Sequence, residues 1–181
     1  MFEGWDSYFL LIGGAAGALI GLLFVVAGLT SRLDRNERLR GASLYLSPVV
    51  FHFAVVLVVS GAALAPRLHP ARLAAAVGVC ALTGAIHLAA VTWGICSRRT
   101  PAAPHWSDVW CYGVAPLVLY LALGGAAAGA ALTRSWAADA VAAVALALLL
   151  IGIRNAWDLV TWLAPTSTDA GAPPASVDGA T

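Results

Sequence analysis

Five residues stand out in this sequence because their side chains could do chemistry where almost nothing else can. They are His52, His87, Arg154, Asn155 and Asp158, each set in or at the end of a long apolar run. An unperturbed imidazole titrates at about 6.5, and a neutral one is a common metal ligand. A His–His–Asp set at membrane depth could relay protons. His52 and His87 could also hold a metal ion or haem between them, and they are the only candidate metal ligands. The bland alternative is that these groups hydrogen-bond to one another and pin helices together. Interhelical polar contacts in membranes average about 0.6 kcal/mol, so they specify geometry more than they stabilise. Arg154 and Asp158 are an i, i+4 pair and can bond along one helix face. No HExxH, GxSxG or phosphate-loop motif occurs, so neither catalysis nor a cofactor has a sequence motif behind it.

The elements that must position these residues are read from composition. The chain has 181 residues, 61% hydrophobic and 10% charged, against roughly 25% charged in soluble domains. That surface cannot be hidden in water, so the expectation is an all-α polytopic membrane bundle. Five apolar runs reach the ~20 residues a bilayer requires, at about 8–29, 44–64, 73–95, 109–132 and 137–163. Residues 1–164 form one transmembrane domain on this reading. Residues 165–181, rich in Ala, Pro, Ser, Thr, Gly and Asp, read as a disordered tail. The net charge of +1 gives no reason to expect a nucleic acid. The acidic start Met1-Phe2-Glu3-Gly4-Trp5-Asp6 lacks the basic region of a signal peptide, so the first run should remain as a helix. Cys80, Cys96 and Cys111 do not have the spacing of a disulfide framework.

Arginines set the expected orientation. The first and third loops hold Arg32, Arg35, Arg38, Arg40, Arg98 and Arg99, whereas the second and fourth hold Arg67, Arg72 and Arg134. The positive-inside rule then places the N-terminus outside and the C-terminus inside a cell membrane. Trp5 and Trp136 fall at the outer interface, and Trp93, Trp106, Trp110 and Trp162 near the inner one. In this topology His52 and His87 both lie about 12 Å from the inner end of their spans, on consecutive antiparallel helices. All five polar residues then share the cytoplasmic half of the bilayer. Whether that cluster is structural, a partner or ligand pocket, or a path for protons or ions is left open by the residues alone.

Glycines mark where helices could approach closely. Gly13, Gly17 and Gly21 form a doubled GxxxG in the first run, and Gly125 and Gly129 a single one in the fourth. Small residues on one stripe admit a neighbouring helix. Packing within the chain, contact between copies in a homo-oligomer, and pore lining are all compatible with the motif. Pro48 is expected in the first turn of the second span, where proline is tolerated. Pro116 falls inside the fourth, where a kink or local opening of the helix is expected. The segment 32–40 reads as a solvated loop or a short interfacial helix, and 100–105 as a stiff loop with two prolines.

Three stretches together resemble a family of uncharacterised small bacterial integral membrane proteins. Trp5-Asp6-Ser7-Tyr8-Phe9 running into Gly13-Gly14-Ala15-Ala16-Gly17-Ala18-Leu19-Ile20-Gly21 is similar to its glycine-rich first span. Ser47-Pro48-Val49-Val50-Phe51-His52-Phe53 resembles its second-span motif, and Ile151-Gly152-Ile153-Arg154-Asn155-Ala156-Trp157-Asp158 its C-terminal signature with Asn-Ala-Trp-Asp. The family often carries His where this chain has Arg154. The resemblance implies a multi-pass protein of the bacterial inner membrane, with no established activity attached.

Overall fold

We describe a computed structural model of the chain, which covers residues 4–30, 38–66, 69–97 and 109–163. The expected disordered tail at 165–181, the loop at 100–105 and most of the segment 32–40 lie outside the described residues. Every described element is helical: α1 (Asp6–Thr30), α2 (Arg38–Leu64), α3 (Pro70–Ser97), a π-helical turn (Trp110–Val114) that runs on into α4 (Ala115–Ala131), and α5 (Ala137–Leu163). No strand occurs among the described residues.

Local chemistry accounts for several ends. Asp6 lies in the first turn of α1 and Asp139 in that of α5, where a carboxylate meets the positive end of the helix dipole. Pro70 opens α3, a position whose missing N–H costs nothing. The turn after α4 is a Schellman motif: Thr133 N–H bonds to Ala130 O at 3.1 Å, and Arg134 N–H to Gly129 O at 2.9 Å. Thr133 takes the left-handed conformation, φ 53°, that such a motif usually gives to glycine. Trp136 folds back over Gly129, where a Cβ would sit 2.7 Å from the indole. One expectation changes here. Helix α2 begins at Arg38, before the apolar run, so Pro48 lies inside the helix and not in its first turn.

Four helices are long and apolar enough to cross a membrane, over Asp6–Gly28, Pro70–Trp93, Trp110–Ala131 and Ala137–Thr161. Helix α2 contributes a shorter apolar stretch, Pro48–Leu64. Their outward faces carry Leu10, Leu11, Phe24, Leu82, Ile86 and Leu121, all well exposed on the bundle surface. In water that surface would be untenable; in lipid it is the solvent-facing side.

The packing has a simple order. Helices α2, α3, α4 and α5 form a closed ring in which each touches the next, and α1 lies outside it across the seam between α2 and α5. Tyr8 ties α1 to that seam by donating to Ala142 O of α5 at 2.8 Å. Gly13 lets α1 reach α2, since a Cβ there would meet Ser60 Cβ at 2.7 Å. Gly152 likewise admits Phe53 between α2 and α5. The ring interior is filled by Phe53, Leu88, Tyr120, Leu123 and Leu148, each fully buried. The diagonal pairs, α2 with α4 and α3 with α5, make no substantial backbone contact among the described residues.

Candidate functional site

Hydrogen bonds sort the polar residues into two tiers. The first is built on Asn155, whose side chain is fully buried. It owes its partner to proline. In the π-helical turn Ala115 N–H reaches back five residues to Trp110 O. Pro116, next in line, has no N–H to offer Cys111 O. Asn155 Nδ2 donates to that carbonyl instead, at 2.9 Å. Tyr112 returns the contact, its hydroxyl donating to Asn155 O at 3.0 Å. Gly113, next after Tyr112, keeps the turn close to α3, because a Cβ there would lie 2.8 Å from Thr92 Oγ1. The local opening expected at Pro116 is therefore the docking point of α5 on α4.

Arg154 and Asp158 flank this tier but face outward. Arg154 Nη1 donates to Asp158 Oδ2 at 3.1 Å and to Asn155 Oδ1 at 3.3 Å. The two charged side chains are 45% and 43% exposed, whereas their neighbour Asn155 is at 0%. Successive helix positions are about 100° apart, which turns Asn155 in and Arg154 out. Thr161 adds nothing to the cluster: its hydroxyl donates back to the carbonyls of Trp157 and Asp158.

The second tier lies on the ring axis. His52 Nδ1 and the Tyr120 hydroxyl share a 2.9 Å hydrogen bond, buried, from α2 to α4. That bond crosses the diagonal where the backbones do not meet. His87 does not bond to His52; its ring stacks on Phe51, centroids 5.0 Å apart and 28° between planes. Phe51 in turn lies 6.1 Å from Tyr120, so His87, Phe51, Tyr120 and His52 form one continuous run of rings. Gly84 of α3 makes room for it, since any Cβ there would run into the Tyr120 ring. Nε2 of His52 and Nε2 of His87 are both buried without a hydrogen-bond partner, as is Ser60 Oγ further along α2.

Tyr112 and Tyr120 are eight residues apart on one helix, so the tiers are separated by about 12 Å. The structure thus joins Arg154, Asn155 and Asp158, and separately places His52 and His87 in one aromatic stack. Among the described residues no group of three or more His, Cys, Asp or Glu is placed to hold a metal ion. Cys80 and Cys111 are free thiols. Of the glycines singled out by spacing, Gly13 and Gly129 meet side chains of their own chain, whereas Gly17, Gly21 and Gly125 have open space where a side chain would go.

Tyr112 and Tyr120 are the hydrogen-bonding partners in the two tiers that spacing arguments missed. The signal was available: a phenol inside an apolar run must find a partner for its hydroxyl. The partner of Asn155 was equally signposted, because Pro116 leaves a carbonyl without its donor. No protein-family model, no curated protein and no solved structure matches this chain.

Proposed function

We propose that the chain is a non-enzymatic integral membrane protein of a bacterial inner membrane, crossing it five times with its N-terminus outside. On this reading α2 supplies the fifth crossing: its 27 residues reach about 40 Å. The polar groups at membrane depth serve to fix which helix faces which, and through that to present a surface to partners. One observation carries the reading. Polar side chains and hydroxyls within the bundle bind helix to helix, as Asn155 with Cys111, Tyr112 with Asn155, His52 with Tyr120 and Tyr8 with Ala142. A homo-oligomer is part of the proposal, since Gly17 and Gly21 on α1 and Gly125 on α4 leave room for another helix.

The test is flux of protons and ions through liposomes holding the purified protein, beside His52→Ala and Asp158→Ala. No flux at any pH or voltage in all three samples is the expected result. A second reading has an observation of its own. The unpartnered Nε2 atoms of His52 and His87 are what a proton path would present to water. Flux in the native protein that both variants abolish, with helicity intact, would establish that path and overturn the structural reading. Orientation is checked with a cysteine placed at Arg35 in a cysteine-free background. It should react with an impermeant thiol reagent only in inverted vesicles.

A further inference from the structure

Among the described residues the outward ion pair on α5 is incomplete. Arg154 offers five N–H groups, and its two bonds in the chain both come from Nη1. Those on Nη2 and Nε have no acceptor among the described residues. Asp158 likewise has carboxylate lone pairs to spare after its bond to Arg154. Both residues lie within the apolar span Ala137–Thr161, with Arg154 about 10 Å from its end. Unsatisfied donors and acceptors at that depth are costly in lipid. Something of mixed sign should cover them.

A lipid phosphate fits poorly. Asp158 is one turn nearer the end of the span, so its carboxylate stands between the guanidinium and the headgroup layer. An anionic headgroup would meet the wrong charge first. The surface is instead complementary to itself. In a parallel twofold pair of α5 helices, with the axis passing between positions 154 and 158, Arg154 faces the second copy's carboxylate. The second copy's guanidinium faces Asp158 in the same way. The rest of that face suits a close approach. Ala143, Ala147 and Ile151 continue the line toward the other leaflet at spacings of four residues, and none of them is buried in the chain. Trp157, 70% exposed, lies at the rim.

We propose that two copies of this chain pair through the Arg154–Asp158 face of α5, exchanging ion pairs across a twofold axis in the bilayer. The inference rests on the homo-oligomeric reading above and places the contact on α5 instead of at the open glycines of α1 and α4. Four charges in one crossed network satisfy donors and acceptors that the described residues of a single chain leave open.

The experiment uses the full chain in membranes, with native cysteines replaced. An Ala147→Cys variant should form a disulfide-linked dimer on mild oxidation, and a Leu121→Cys variant on the exposed face of α4 should not. Arg154→Asp and Asp158→Arg each create like charges across the axis and should lower the cross-linked fraction about tenfold. Co-expressed under different tags, these two variants complement each other across the axis although neither retains an ion pair of its own. Heterodimers should return to the native level while both homodimers stay depleted. The pairing is overturned if Ala147→Cys cross-links no more than Leu121→Cys. It is equally overturned if charge reversal leaves cross-linking unchanged, or if helical, co-expressed variants do not recover. A monomer that retains anionic phospholipid, and loses it in Arg154→Asp, would show that a lipid is the occupant and reject the proposal. Uniformly monomeric protein would reject the oligomer itself, whereas dimers dispersed only by Gly21→Leu would reject this face alone.

Discussion

The two polar tiers of the bundle are built from similar parts and end in opposite states. Around Asn155 the side-chain amide has a partner on both its atoms: Nδ2 on Cys111 O, and Oδ1 on Arg154. Around His52 one ring nitrogen is bonded to Tyr120 and the other to nothing. The difference lies in where the helices come together. Asn155 sits on the side of the ring where α5 packs directly on α4, and there a carbonyl left open by Pro116 is within reach. His52 sits on the diagonal, where only long side chains meet. A tier with every group bonded fixes a geometry. A tier with buried, unused nitrogens carries a cost in stability.

The sharpest way to break the comparison is at the glycines that make each tier possible. Gly84→Val drives two methyls into the Tyr120 ring and should destabilise the bundle by about 3 kcal/mol, read from reversible unfolding in mixed detergent. Gly125→Ala, on open surface, should stay within about 0.5 kcal/mol. Equal losses at both would mean that the ring stack does not depend on Gly84.

Next in size is Asn155→Ala, which leaves the Cys111 carbonyl without a donor and should lose about 1.5 kcal/mol, near the upper end for a polar contact between membrane helices. The His52 tier should respond differently. Tyr120→Phe alone removes one partner of the pair and should lose about 1 kcal/mol. The double variant His52→Leu with Tyr120→Phe removes both partners, together with the unused Nε2, and should recover most of that loss. If it instead destabilises by more than Asn155→Ala, His52 is held by contacts that the two-tier description omits. The smallest effect belongs to neither tier. Thr133→Gly relieves a β-branched residue of a left-handed backbone and should raise stability by about 0.5–1 kcal/mol, against which the other changes are calibrated.

Much of this was legible in the residues. Pro116 announced a break in the fourth apolar run, and a π-helical turn lies directly before it. The i, i+4 spacing of Arg154 and Asp158 announced an ion pair, and it forms at 3.1 Å. The matching depths of His52 and His87 placed them at one level, and both rings belong to one stack. Their partners were not legible. Depth comes from counting residues along a span, but which ring meets which depends on the rotation of each helix about its axis, and an almost uniformly apolar run carries little information about that rotation.

The glycines make the same point. The doubled GxxxG of α1 reads as one continuous stripe, yet Gly13 is closed by Ser60 while Gly17 and Gly21 are open. A sequence records the small residues; a crossing angle decides how long two helices stay in touch.

The sequence by itself determined that this chain is helical and belongs in a membrane. Apolar runs of spanning length leave the backbone no other way to satisfy its N–H and C=O groups in lipid. It also determined that charge at positions 154 and 158 would need an answer. Only the tertiary structure decided that Asn155 turns inward to a carbonyl freed by proline, that His52 meets Tyr120 across the ring, and that Arg154 faces out. Those outcomes depend on the order in which helices close the ring. That order is set by many small packing contacts between apolar faces, each too weak and too unspecific to be read from a single residue.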